Sequence, residues 1–249
     1  FKTVQTPDFT INSGLLLRDM VTTAITNGLE ISLNNKIDKI EKHRNYKLLS
    51  GSKKDILTKN VALCSGEGVK HFSSVKTKTS YAPIAVVSGV HKHSKSFVEL
   101  DYFTKNCINL LTKSNGFGLA GGISLSDRSK CDKYLDFVVQ KHQETEVEMK
   151  EVSRYIGVKT EITFNKQPRG YLYHIVNTDD GVWAIIPGKF TLAFSMAPEF
   201  YRKVYKKNPK KYFKTVTTNN ETVEIVSNTV WMDIFNKSKE NKNGNDQVT

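Results

Sequence analysis

The segment from Phe200 to Lys214 holds the residues best suited to binding a charged ligand. Between Tyr201 and Lys214 there are seven basic residues, several aromatic ones and no acidic one. Cations bind phosphates and flat rings stack on unpaired bases, so this mixture is typical of single-stranded nucleic-acid binding. Alternatively, the rings pack inside and the lysines are simply solvated. The candidate contacts are Arg202, Lys203, Tyr205, Lys206, Lys207, Lys210, Lys211, Tyr212 and Lys214.

A second basic stretch, His91-Lys92-His93-Ser94-Lys95, follows a predicted strand. Paired histidines after a strand are one way to hold a catalytic metal. Lys92 lies between the two histidines, however, and its positive charge disfavours the capture of a cation. We therefore predict a basic loop, in which Lys92 and Lys95 add to the nucleic-acid surface.

Asp136, Glu148 and Lys150 offer a different chemistry. Two carboxylates can hold Mg²⁺ while a lysine lies near the attacking water, as in metal-dependent nucleases. That arrangement requires adjacent strands, whereas the local pattern here predicts a helix. A metal-dependent nuclease, using these residues or His91 and His93, is therefore an alternative hypothesis.

Gly116, Gly118 and Gly121 match the glycine pattern GxGxxG. A dinucleotide site of this kind needs a strand before the glycines and a helix after them. The sequence predicts the reverse order, a helix before and a strand after. We therefore interpret these glycines as a flexible or tightly turned loop and predict no cofactor.

The overall charge favours a polyanionic partner. The formal net charge is +12 and the pI is about 9.4. Arginines number only six, so lysine carries most of the charge, and lysine binds phosphates better than it reads bases. The hypothesis is a largely sequence-independent, non-enzymatic nucleic-acid-binding protein, a replication, recombination, packaging or transport factor encoded by a virus, phage or plasmid. A viral structural protein, such as a capsid or matrix component, is a further alternative.

The cysteines and the hydropathy of the chain indicate the cellular compartment in which we expect the protein. The three cysteines are widely spaced, with no CxxC pair, so neither a zinc site nor a disulfide framework is expected. A reducing compartment, cytoplasmic or nuclear, is the simplest interpretation. No apolar run reaches the roughly 20 residues of a membrane span. A homo-oligomer is an alternative to a monomer, and the sequence favours neither.

Several elements can be predicted around these residues. Apolar spacing after Ser13 predicts a helix that ends at Gly28, and residues 84–90 predict a strand. Ser96 is a possible cap for a helix that ends at Asn115-Gly116. Ser126-Asp127 predicts the start of a long helix reaching Ile156.

The strongest strand signal lies in the C-terminal half. Residues 169–186 predict a β-hairpin, because two β-branched and aromatic runs flank a turn that ends in Asp180-Gly181. The predicted fold class is α+β, with a mainly antiparallel sheet concentrated in the C-terminal half and helices from the N-terminal half. Residues 1–235 are predicted to form one domain, and residues 236–249 a disordered polar tail.

Overall fold

The computed structural model describes residues 4–5, 11–101, 106–162, 170, 172–210 and 224–245. Contacts between the residues of this chain divide it into two compact units. Unit 1 comprises Phe1–Glu30, Tyr81–Gly157 and Lys214–Thr249, and unit 2 comprises Ile31–Ser80 and Val158–Phe213. The single-domain boundary stays a prediction.

The described helices and strands confirm the predicted α+β class with mainly antiparallel sheets. The helices are α1 (Ser13–Thr26), α2 (Val69–Phe72), α3 (Cys131–Gln143), α4 (Ala193–Tyr205) and α5 (Val230–Asn245). The strands are β1 (Ile37–His43), β2 (Tyr46–Gly51), β3 (Ile56–Thr58), β4 (Val61–Leu63), β5 (Lys78–Ser88), β6 (Phe97–Asp101), β7 (Asn106–Thr112), β8 (Gly118–Gly122), β9 (Lys150–Glu161), β10 (His174–Asp179) and β11 (Val182–Ile186). The strands thus begin well before the C-terminal half of the chain.

Unit 1 contains most of a five-stranded sheet with the order β6-β7-β8-β5-β9. Helix α3 packs on this sheet, and its Leu135 and Val138 are fully buried with Val87 and Leu110. Apolar burial of this kind supplies the main driving force for folding the unit. Tyr134 of α3 also connects the helix to the sheet by hydrogen bonds. Its hydroxyl donates to the Cys107 carbonyl of β7 (2.6 Å) and accepts from the Ile123 amide (3.0 Å).

Two helix predictions in unit 1 were wrong. The helix expected after Ser96 is the hairpin β6–β7, in which Phe97 pairs with Leu110 and Leu100 with Cys107. The same apolar residues satisfy either spacing, and burial of alternate residues in β7 favours the strand. The long helix predicted to Ile156 ends at Gln143, and β9 begins at Lys150.

The two ends of the chain contribute helices to unit 1. Helix α1 begins at Ser13, one residue earlier than predicted, because the N-cap is Asn12, whose side chain accepts from the Leu15 amide (3.2 Å). Helix α5 covers residues 236–245, which the sequence assigned to a polar tail. Within α5, the Phe235 ring meets Phe117 edge-on at 4.9 Å. None of the helices in the described part of the chain has the length and apolar character that would let it cross a bilayer.

Unit 2 contains two three-stranded sheets, β1-β2-β3 and β10-β11-β4. The predicted hairpin is present as β10 and β11, an antiparallel pair joined by a turn at Asp180-Gly181. Its core residues, Val182, Ala184 and Ile186, pack with Val61 and Leu63 of β4. A short ion pair adds to this packing, because the buried Lys47 ammonium lies 2.6 Å from the Asp179 carboxylate.

Candidate functional site

Unit 2 contains a parallel strand pair, which brings two strand ends to one edge of a sheet. Strand β11 pairs parallel with β4, and Val182, Trp183 and Ala184 lie opposite Val61, Ala62 and Leu63. The carboxyl ends of the two strands therefore lie at the same edge of the sheet. In sheets with parallel strands this edge is where ligands bind, because the loops that leave it can surround a ligand without disturbing the sheet.

A glycine-containing turn and a helix follow each of these strands. After β4, Ser65 and Gly66 lead through a short 3₁₀ turn into α2, and after β11, Pro187 and Gly188 lead through another into α4. Gly66 and Gly188 have φ angles of +58° and +65°, which only glycine adopts readily. A Cβ at Gly188 would lie 2.6 Å from the Leu172 carbonyl oxygen, whereas a Cβ at Gly66 meets open space.

Helix α4 is fixed at its position by strand β11. The Phe200 ring packs edge-on against Trp183 at 6.2 Å, so the helix lies on the strand that leads into it. The N-cap residues of α4 and of the 3₁₀ turn before it, Leu192 and Lys189, make no side-chain cap hydrogen bond. The first amide groups of such a segment carry a partial positive charge, which favours an anion at this end.

A cleft of about 650 Å³ lies at this edge. The residues that matter for its chemistry are Gly66, Glu67, Lys159, Gly188, Lys189 and Phe190. Lys159 and Lys189 bring two positive charges to the cleft. The Lys70 ammonium lies 3.2 Å from the Glu67 carboxylate, and that hydrogen bond lowers the pKa of Glu67. The charged side chains lining the cleft are thus Lys159, Lys189 and a Glu67 that pairs with Lys70, a set that can contact an anionic ligand.

The basic segment predicted to bind nucleic acid lies on and after helix α4. Arg202 and Lys203 both pair with Glu199, at 3.1 Å and 3.9 Å, so an acid from the same helix offsets their charge. The Tyr205 ring packs against Tyr201, with 4.7 Å between centroids. Lys206 caps the helix in a left-handed conformation, and Lys207 and Lys210 follow. Lys211, Tyr212 and Lys214 lie outside the described residues.

The remaining predicted site residues lie elsewhere. Lys92 and Lys95 belong to a loop in unit 1, whereas the segment after Tyr201 belongs to unit 2 up to Phe213. Asp136 is 2.9 Å from the Arg154 guanidinium, in a structural ion pair between α3 and β9. The described residues contain no group of three or more potential metal ligands, so the nuclease arrangement is not supported.

The glycine pattern Gly116–Gly121 does not form a dinucleotide loop. Gly118 and Gly121 lie in β8, which pairs antiparallel with both β5 and β7. A Cβ at Gly121 would lie 3.1 Å from the Pro83 carbonyl oxygen, so this glycine allows close strand packing. The interpretation of all three glycines as a loop was wrong, because only Gly116 lies in the turn before β8, whereas Gly118 and Gly121 are strand residues.

Comparison with known proteins reveals the fold. No protein-family profile and no curated protein matches the sequence. Among solved structures, L-proline dehydrogenase from P. horikoshii matches with a TM-score of 0.61 and 8% identity, over 76% of this chain and 54% of that one. NikD, an amino acid oxidase of nikkomycin biosynthesis, matches with a TM-score of 0.58 and 9% identity, over 76% and 56%.

A third match names a cofactor. An FAD-dependent oxidoreductase from Pseudomonas aeruginosa matches with a TM-score of 0.50 and 9% identity, over 88% of this chain and 64% of that one. The chain therefore spans between about half and two thirds of the length of these structures. At such low identity the similarity establishes the fold alone.

The fold likeness contradicts the nucleic-acid-binding prediction. Oxidases and dehydrogenases of amino acids share this fold, and it gives no support to a viral or mobile-element factor, a nuclease or a capsid protein. The prediction was wrong because lysine content was interpreted without its geometry. Sequence reasoning also missed the cleft, although one signal was present: apolar strands that end in Ser65-Gly66 and Pro187-Gly188, each followed by a helical segment.

Proposed function

We propose that this chain is part of an oxidoreductase that uses a flavin dinucleotide to oxidise small amino or imino acids. The observation that carries the proposal is the cleft at the carboxyl ends of β4 and β11 in a fold shared with amino acid oxidases and dehydrogenases. The reaction class rests on what those proteins are named for, and the cofactor on the FAD-dependent match.

The donor groups of the cleft fit the diphosphate of such a cofactor. A diphosphate needs backbone that can approach closely, amide donors and compensating cations. The turns at Gly66 and Gly188 provide the close backbone, and Lys159 and Lys189, which line the cleft, provide the cations. We assign the diphosphate to these residues.

The residues of this chain would bind the cofactor and orient it in the cleft. The Gly188 turn packs closely against the Leu172 carbonyl, which leaves no room for a Cβ at this position. The partly exposed Phe190 ring adds an apolar surface next to the two lysines, suited to an aromatic part of the ligand. A flavin, when bound, would supply the acceptor for the two electrons released when a carbon–nitrogen single bond becomes an imine.

The test is a titration of the chain with FAD, followed by quenching of flavin fluorescence, with FMN titrated in parallel and ADP added as a competitor that displaces bound FAD. We expect saturable binding of FAD and of ADP, and weaker binding of FMN, which lacks the diphosphate bridge. Lys189→Ala is expected to weaken FAD binding about tenfold, because a charge-assisted phosphate contact contributes about 1.4 kcal/mol or more.

Lys207→Ala is the matched control, since Lys207 lies beyond α4 and does not line the cleft. It is expected to bind FAD as the parent chain does. Absence of FAD and ADP binding at high micromolar concentration would contradict the cofactor assignment. Oxidation of glycine or proline, followed by reduction of an added dye in the presence of FAD, tests the reaction class separately.

A further inference from the structure

Helix α4 has an aromatic face that the fold leaves exposed. Phe194, Tyr201 and Tyr205 recur at helical spacing, so their side chains lie along one side of the helix. The Phe194 side chain is 55% exposed and that of Tyr205 is 53% exposed. The Phe200 ring, which contacts Trp183, lies on a different side of the helix, because adjacent residues are about 100° apart around the axis. We call Phe194, Tyr201 and Tyr205 the aromatic stripe.

The exposure of this stripe distinguishes α4 from the other helix of equal length. Helices α3 and α4 both have 13 residues, but α3 buries Leu135 and Val138 in a core, whereas no residue of α4 is buried. The aromatic stripe therefore contributes little to the packing of unit 2. Large apolar side chains that are grouped on an exposed surface are typical of a surface that binds a partner.

Basic residues surround the C-terminal end of the aromatic stripe. Between Ala193 and Lys210 the chain has five basic residues and one acid, Glu199. The five basic residues, all of them exposed, are Arg202, Lys203, Lys206, Lys207 and Lys210. Glu199 pairs with both Arg202 and Lys203 on the helix, and the three lysines that follow the helix leave this end with a net positive charge.

The aromatic stripe and the basic residues together fit the surface of an anionic lipid bilayer. Tyrosine rings are stable at the boundary between headgroups and acyl chains, and lysines beside them are attracted to anionic headgroups. An exposed lysine does not hold one phosphate in a fixed position, but a bilayer does not require this, since its headgroups move within the leaflet. The stripe extends along the helix axis for roughly 16 Å, so a helix lying flat on the bilayer brings all three rings to the same depth.

We propose that the aromatic stripe and the basic residues beside it form a surface that binds anionic bilayers, with α4 lying in the plane of the headgroups. This kind of attachment is peripheral and requires no helix that spans the bilayer. The residues of the stripe do not line the cleft. The proposal therefore does not depend on the proposed oxidoreductase function.

Co-sedimentation of the whole chain with lipid vesicles tests the proposal. One set of vesicles contains phosphatidylcholine alone, and the other contains phosphatidylcholine with about 30% phosphatidylserine. We expect affinity for the phosphatidylserine vesicles to be about tenfold higher or more, because the lysines are attracted to the anionic headgroups. High salt should remove most of this difference, since exposed charges are screened.

Variants separate the contributions of the rings and the lysines. Phe194→Ser with Tyr205→Ser should weaken binding to phosphatidylserine vesicles about tenfold or more, because two interfacial rings are lost. Lys206→Ala with Lys207→Ala should weaken binding to these vesicles by a similar factor and remove part of the preference for phosphatidylserine. Phe137→Ser is the matched control: Phe137 is a 37% exposed ring on α3, in unit 1, and this variant should bind as the parent chain does. Urea unfolding confirms that each variant is folded.

Three results would overturn the proposal. The first is no binding to either kind of vesicle, or equal binding to both. The second is parental binding by the folded variant that carries both Phe194→Ser and Tyr205→Ser. The third is self-association of the chain without vesicles, measured by light scattering, that disappears in the same double variant, because the aromatic stripe would then be covered by a second copy of the chain.

Discussion

The cleft at the ends of β4 and β11 and the basic segment after α4 are both rich in lysine, yet they differ in what the lysines can do. In the cleft, Lys159 and Lys189 adjoin glycine turns and a parallel strand pair with a buried core. In the basic segment, Arg202 and Lys203 share Glu199 on the same helix, and Lys206 and Lys207 follow on an exposed surface. We therefore expect the cleft, and not the basic segment, to hold an anion in a fixed position.

The largest expected effect comes from filling the left-handed turn of the cleft. Gly188→Val places a β-branched side chain at a φ of +65° and its Cβ 2.6 Å from the Leu172 carbonyl. We expect FAD affinity to fall at least a hundredfold and the free energy of unfolding to fall by about 2–3 kcal/mol. Flavin fluorescence and urea unfolding measure the two effects.

Gly28→Val is the control for this substitution, because Gly28 has a φ of +93° and no atom lies within 4 Å of an added Cβ. This variant introduces the same kind of backbone strain, but its added Cβ does not clash with another atom, and Gly28 does not line the cleft. We expect it to cost less stability than Gly188→Val and to leave FAD affinity unchanged. If Gly188→Val and Gly28→Val bind FAD with the same affinity, the cofactor does not bind at the Gly188 turn.

A double substitution compares the two lysine groups directly. Lys159→Ala with Lys189→Ala should weaken FAD binding about 30- to 100-fold, because two cations near a diphosphate are lost. Lys206→Ala with Lys207→Ala should change affinity by less than about twofold, since exposed charges outside the cleft are screened by salt. Both are measured by FAD titration at physiological salt. If the two double variants lose the same amount of FAD affinity, the cleft and the basic segment do not differ in how they contribute to FAD binding.

The histidine buried in unit 1 gives a pH-dependent prediction. Burial lowers the pKa of His142, so the unfolded chain binds more protons than the folded chain below the ordinary histidine range near pH 6.5. Stability contributed by neutral His142 is therefore present above that range and decreases as the pH falls through the folded-state pKa. His142→Gln keeps a donor for the Asn109 carbonyl and cannot titrate, so urea unfolding between pH 7.5 and 5.0 should lose part of its pH dependence. An unchanged pH dependence would contradict this role.

The smallest effect concerns a left-handed residue in the basic segment. Lys206 has a φ of +55° at the end of α4, a position that favours glycine. Lys206→Gly should raise the free energy of unfolding by about 0.5–1 kcal/mol and leave FAD affinity unchanged. A loss of stability in urea unfolding would mean that the Lys206 side chain makes contacts of its own.

The sequence predicted those elements whose signals were purely local. The β10–β11 hairpin was found because Asp180-Gly181 separates two apolar runs, and α1 because its apolar spacing follows a capping residue. The β6–β7 hairpin was missed, since its apolar residues also fit helical spacing and only pairing with β8 decides between the two. Strand β9 was missed because the polar residues before it resembled an exposed helix surface.

The site could not be predicted in the same way, because it depends on a non-local pairing. Strand β4 has only three residues, and nothing local indicates that it lies parallel to β11, more than a hundred residues later. Without that pairing the Gly66 and Gly188 turns are two unrelated loops. The basic segment, in contrast, is contiguous in sequence, and it therefore attracted a functional assignment that its position in the fold does not support.

The most direct test of the cleft assignment is hydrogen–deuterium exchange of the chain with and without saturating FAD. The account predicts added protection at residues 64–68 and 187–193, the turns and helix starts that line the cleft, and none at residues 201–210. Protection confined to residues 201–210, or no change at either turn despite bound FAD, would contradict the claim that the carboxyl ends of β4 and β11 hold the dinucleotide.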